Sequence, residues 1–167
     1  MTVIAIEPHA DDVFLGCYSL LKLGLIDEVI TVAYCGKVRK EETRNMLNFF
    51  NIEGKTLNYP DGKLTLFFHN IQYDINNVGE YGDIIFLPSN YEIHPDHKTI
   101  SELEFPGCKI IEYSISKIPN DLEGFTFTQF RFKEKMKLFK KLYPSQYESL
   151  KSTSYDFLEC EYFRARK

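Results

Sequence analysis

The stretch "TVIAIEPHADDVFLGC", Thr2 to Cys17, decides how the chain folds. Residues 2–6 form an apolar, β-branched run of the kind that builds a buried strand, and a histidine and two adjacent carboxylates follow at once. Beyond them, residues 13–23 set Phe14, Cys17, Tyr18 and Leu21 on one helical face. Asp11 and Asp12 stand where the exposed amides and positive dipole end of that helix favour acids, and Gly24 offers a stop. Strand and helix alternate onward. Apolar runs recur at residues 28–34, 83–88 and 109–114, with a weaker one at 55–59. Helical spacing occupies residues 40–50, through Met46, Leu47, Phe49 and Phe50, and residues 64–78, through Leu64, Phe67, Phe68, Ile71 and Ile75. This alternation predicts an α/β fold, a three-layer Rossmann-like arrangement with a mostly parallel central sheet flanked by crossover helices. Such sheets bind ligands at the carboxyl ends of their strands, where Glu7-Pro8-His9-Ala10-Asp11-Asp12 falls.

At 167 residues the chain fits one domain, expected over residues 1–167, with no repeat or linker to divide it. Its 44% hydrophobic and 26% charged residues are ordinary for a globular protein, and a net charge of −4 argues against a general nucleic-acid binder. No apolar run approaches the ~20 residues of a membrane span, and no secretory leader is recognisable, so the expected location is cytoplasmic. The four cysteines Cys17, Cys35, Cys108 and Cys160 form no Cys-x-x-Cys pair and read as reduced, mostly packed thiols.

His9 and Asp12, three residues apart at a loop-to-helix junction, can turn toward one point beyond the first strand. A second cluster, Tyr91-Glu92-Ile93-His94-Pro95-Asp96-His97-Lys98, follows the strand expected at residues 83–88, also at a carboxyl end. Taken singly, each cluster has a plain reading, a capping aspartate and a polar turn. Together they hold three of the four histidines at one sheet edge. Two imidazoles and a carboxylate make a zinc site that keeps one position open for water. With His9, Asp12 and one later histidine as ligands, Asp11 and the other histidine remain for proton transfer and oxyanion stabilisation.

At these residues the chain resembles the PIG-L or LmbE-like de-N-acetylases, zinc enzymes that remove an acetyl group from N-acetylglucosaminyl compounds. Their first motif, roughly His-Pro-Asp-Asp-Glu, is matched by His9-Ala10-Asp11-Asp12-Val13, with Ala10 and Val13 as departures; their second, His-Pro-Asp-His, is intact at His94 to His97. The resemblance implies an LmbE-like fold, zinc on His9, Asp12 and His97, Asp11 as general base, His94 as electrophilic or acid partner, and Asp96 orienting a neighbouring imidazole. Val38-Arg39-Lys40-Glu41-Glu42-Thr43 is similar to the family's Arg-x-x-Glu helix start, and Asn58-Tyr59-Pro60-Asp61-Gly62 to its strand ending in aspartate. These imply Arg39 and Asp61 as holders of sugar hydroxyls. Residues 110–119, residues 138–146 as a helix ending in Ser-Gln, and Glu159-Cys160-Glu161-Tyr162-Phe163 as a closing Glu-x-Phe extend the likeness.

The expected activity is therefore hydrolysis of the acetamido group of an N-acetylglucosamine-containing substrate, giving acetate and a free amine. Shortened loops leave room for a large glycoconjugate. Ferrous iron suits the same ligands. Two alternatives stand beside it: a hydrolase of another amide or a phosphoester on the same metal site, and a non-catalytic sugar- or metal-binding module. The basic, aromatic segment at residues 130–143 reads as a core stripe of Phe132, Met136, Phe139 and Tyr143 under a solvated lysine face. It would supply phosphate contacts only if the sugar were carried on nucleic acid.

Overall fold

The computed structural model describes residues 1–115, 125–129, 132–151 and 160–166. Strands β1 (Val3–Glu7), β2 (Glu28–Tyr34), β3 (Glu53–Pro60), β4 (Ile84–Pro88), β5 (Lys109–Tyr113), β6 (Phe125–Gln129) and β7 (Cys160–Ala165) form one sheet in the order β3-β2-β1-β4-β5-β7-β6. The first five are parallel; β7 runs antiparallel to β5 and pairs with β6, also antiparallel. The fold is thus α/β with a mostly parallel central sheet flanked by helices, and the order is consistent with a Rossmann-like arrangement.

Strand alternation divides the core. Ile4, Ile6, Ile30, Val32, Ile85 and Leu87 face helix α3 (Phe68–Ile75), the 3-10 turn Leu64–Phe67 before it, and α4 (Pro95–Ser101). Ala5, Val29 and Phe86 face α1 (Asp12–Lys22), α2 (Gly36–Phe50) and α5 (Phe132–Leu142), through Phe14, Leu21, Met46 and Phe139. β1 pairs with β2 on one side and β4 on the other, so strand order reverses beside it. A crevice at such a switch point lies outside the carboxyl ends of β1 and β4.

The differences from the sequence reading are local. α2 begins at Gly36 rather than Lys40, which puts Arg39 in its first turn; Met46 is buried, but Phe49 is exposed. The helix expected over residues 64–78 splits at Phe67, whose φ of −115° and ψ of 12° leave the helical region. Residues 138–146 are not one helix: α5 ends at Leu142 and α6 (Pro144–Lys151) begins on a proline, which lacks the N–H needed to continue and suits a first helical position. Phe139 on α5 and Tyr143 just after it are buried as expected, but Lys135 on α5 is fully buried rather than solvated. Of the segments named above, Ser116 to Pro119, Phe130, Arg131 and Glu159 lie outside the described residues. Among the described residues no helix is long and apolar enough to cross a membrane, and Cys17, Cys35 and Cys108 are free thiols.

Candidate metal centre

Two loops deliver the polar residues to the crevice. After β1 the chain turns on itself: the Asp11 and Asp12 amides donate to the His9 carbonyl at 2.9 and 3.2 Å, and the His9 amide donates to Asp12 Oδ2 at 2.8 Å. After β4, residues 94–97 are not a free loop but the start of α4. His94 is its N-cap, with extended backbone (ψ 129°), Pro95 occupies the first turn, and His94 Nδ1 accepts from the Asp96 amide at 3.2 Å.

His9 Nδ1, Asp12 Oδ2 and His97 Nε2 converge. The pairwise distances are 3.2 Å from His9 to Asp12, 3.2 Å from His9 to His97 and 3.3 Å from His97 to Asp12. Donor atoms about 2.0–2.1 Å from a tetrahedral zinc stand about 3.3 Å from one another, so this triangle has the spacing of three zinc ligands. Two nitrogens in such contact need either a shared proton or a shared cation. All three side chains are buried, and the donor set suits zinc or ferrous iron. His94 lies beside them, its ring edge-on to His9 at 4.9 Å and 5.1 Å from His97. One ring nitrogen from each of the three histidines also falls within 4.8 Å of the others. His97 fits the ligand place better than His94: it is buried and touches both other donors, whereas His94 is exposed with Nδ1 engaged in its helix cap.

The far nitrogen of His9 is held as well. Nε2 lies 3.3 Å from Asp96 Oδ2 and 3.2 Å from Asp61 Oδ1, and His9, Asp61 and Asp96 form a second group able to hold a cation. Asp96 also accepts from the Gly62 amide at 2.8 Å and the Leu64 amide at 3.0 Å, which ties the turn after β3 to α4 and brings Asp61 in. Gly62 has φ +73°, a left-handed conformation that favours glycine in this Pro-Asp-Gly turn. Arg39 Nη2 pairs with Asp11 Oδ1 at 2.5 Å. All eight residues singled out in the sequence therefore meet at one edge. Arg39 and Asp61, expected to hold sugar, contact Asp11 and His9 here, and the Asp61 side chain is 47% exposed.

Burial sets the electrostatics and the local charges redirect it. Burial works against an imidazolium at His9, but hydrogen bonds to Asp12 and Asp96 outweigh it and raise His9 to about 11; His97 is raised to about 9, chiefly by Asp12 against the same penalty. Asp12 is buried too, yet His97 and His9 hold it well below the usual carboxylate range. Asp11 is raised to about 6, because burial and Asp12 exceed the opposing pull of Arg39. His94 is lowered by the partial desolvation of its ring and by its two imidazole neighbours. His9 and His97 thus hold protons beside an ionised Asp12, and a bound cation would displace protons from the two imidazoles.

Two acids escaped the sequence reading. Glu92, buried, sets Oε2 3.5 Å from His97 Nδ1, on the side away from the donor triangle, and its Oε1 accepts from the Ile115 amide. A carboxylate behind a ligating imidazole fixes its tautomer and orientation. Its signal was only its place two residues before His94. Glu7, also buried, accepts from the Val13 amide at 2.9 Å and from Thr31 Oγ1 at 2.7 Å, so it serves the first turn of α1 from the end of β1. The sequence alone places it just after the first strand, in the loop stretch, and gives it no role. No protein-family model matches the chain, and none of the curated proteins matches it.

Proposed function

We propose that the chain is a metal-dependent de-N-acetylase, a zinc amidohydrolase that cleaves the acetamido group of an N-acetylglucosamine-containing substrate to acetate and a free amine. The observation that carries the reading is the 3.2–3.3 Å triangle of His9 Nδ1, Asp12 Oδ2 and His97 Nε2, with Asp11 next to it in the chain. The resemblance of both histidine motifs to the LmbE-like family supplies the bond and the substrate class. Zinc, when bound, polarises a carbonyl and brings the pKa of water toward ~7.

The chain's own residues supply the rest. Asp11, raised to about 6, is a base matched to neutral pH and takes a proton from the attacking water onto a carboxylate oxygen. Its pairing with Arg39 orients that carboxylate. His94 accepts the Asp96 amide at Nδ1, so the proton of its neutral ring sits on Nε2, where it donates to the carbonyl oxygen as charge builds there. The lowered pKa of His94 makes this a neutral donor rather than an imidazolium. Asp11, now protonated, returns its proton to the departing amine. Asp61, half exposed at the mouth, is the sugar-hydroxyl acceptor, and Asp96 holds the His9 ring in place.

The test is acetate release from N-acetylglucosamine and a panel of its conjugates, with metal content measured on the same sample. Wild type should release acetate, and Asp11→Asn should lose roughly 10²-fold or more of turnover with its metal still bound. A metal-loaded wild type that releases acetate from none of the panel would overturn the deacetylase reading in favour of a binding module.

A further inference from the structure

Helix α1, which carries Asp12 on its first turn, is broken at Cys17, where φ is −130° and ψ 25°. The break has a specific cause in distant residues. In an unbroken helix the Ser19 amide donates to the Leu15 carbonyl. Here the Ser19 amide is directed to both carboxylate oxygens of Glu161 on β7, at 3.0 and 3.2 Å, and the Ser19 hydroxyl also donates to Glu161 Oε2. The Leu15 carbonyl instead accepts from Lys135 Nζ of α5 at 2.5 Å. Lys135 and Glu161 lie 3.5 Å apart with fully buried side chains. An ion pair from two other elements is thus spliced into one rung of the α1 ladder, and such an insertion is a recognised cause of a sharp kink.

The segment ahead of the kink is the one that reaches the metal centre. Residues 12–16 are held by Glu7 at the Val13 amide, by Lys135 at the Leu15 carbonyl, and by the Tyr113 ring, which a Cβ on Gly16 would approach to 2.5 Å. We infer that the Lys135–Glu161 pair is a positioning device for the metal centre: by bending α1 it aims the first turn so that Asp12 completes the donor triangle with His9 and His97. This rests on the metal reading of the site. Stability is a poor reason for such a pair, because a buried ion pair is often replaced by apolar residues without loss.

Zinc affinity of the folded chain, by competition with a chromophoric chelator, separates positioning from stability. Lys135→Met leaves Glu161 buried and uncompensated, and it should weaken both zinc binding and the fold. The double variant Lys135→Met/Glu161→Met removes both charges and should recover stability, yet its zinc affinity should stay about tenfold or more below wild type, as for other residues that orient metal ligands. Lys137→Met, an exposed change on the same helix, should bind zinc as wild type does. A stable double variant with wild-type zinc affinity would overturn the inference. A wild-type chain that takes up no divalent ion would overturn the metal reading of the site, and the inference with it.

Discussion

Glu7→Gln tests the electrostatics of the β1–α1 junction. Glu7 is buried against the Val13 amide and the Thr31 hydroxyl, and burial, aided by Asp12 and Asp11, raises it from 4.5 to about 8 despite those two hydrogen bonds. The folded state therefore binds a proton that the unfolded chain releases between pH 4.5 and 8. The stability associated with that proton is fully present below 4.5 and is lost as pH rises through 8. At about 1.4 kcal/mol per unit, the loss between pH 5 and 8 is roughly 3–4 kcal/mol. Glutamine has the same shape and does not titrate; its oxygen can accept from Val13 while its amide donates to Thr31 Oγ1. Urea unfolding of both proteins at pH 5, 6, 7 and 8, with chelator present, gives the difference directly, and titrating groups that do not interact with Glu7 cancel in it. The variant should gain on wild type by ~1 kcal/mol per pH unit across the middle of that range. A pH-independent difference would show that Glu7 is ionised in the folded chain and would refute the argument.

His9→Ala should abolish zinc retention, read by metal analysis after gel filtration, while far-UV circular dichroism stays unchanged, because His9 belongs to neither core cluster; unfolding of the metal-free chain would contradict this. Asp96→Ala removes the acceptor for His9 Nε2 and for the Gly62 and Leu64 amides, and it should cost about 3 kcal/mol in denaturant unfolding and lower zinc affinity ~10–100-fold. Gly16→Ala would drive a methyl into the Tyr113 ring, whose hydroxyl donates to the Ile6 carbonyl at 2.9 Å. Overpacking by about 1–3 kcal/mol should exceed the helix-propensity gain of up to ~1 kcal/mol, so a variant more stable than wild type would sink the packing argument.

The sheet and the first site residues were legible because local pattern records local physics. The apolar runs that became β1, β2, β4 and β5 match the observed strands to within about a residue, since burial on both faces demands continuous apolar character. His9 and Asp12 could be read as partners because three residues at a helix start bring two side chains together whatever the rest of the fold does. The start of α4 was hidden: a histidine cap and a proline also describe a turn, and only packing against β4 and the 3-10 turn tells the two apart. Lys135 was read as solvated because lysine is almost never fully buried without a partner, and that partner, Glu161, lies 26 residues away on an antiparallel strand that no periodicity announced.

The sequence by itself determined which segments are buried, where the loops carrying histidines and carboxylates fall along the chain, and that those loops leave the carboxyl ends of strands. Tertiary structure alone decided that His9 meets His97 across 88 residues, that Glu92 stands behind His97, and that a buried ion pair bends the helix bearing Asp12. Periodicity reports how a segment meets its own surroundings; which distant segments become neighbours follows from β1 pairing with β4, a choice made by long-range packing and hydrogen bonding over the whole sheet.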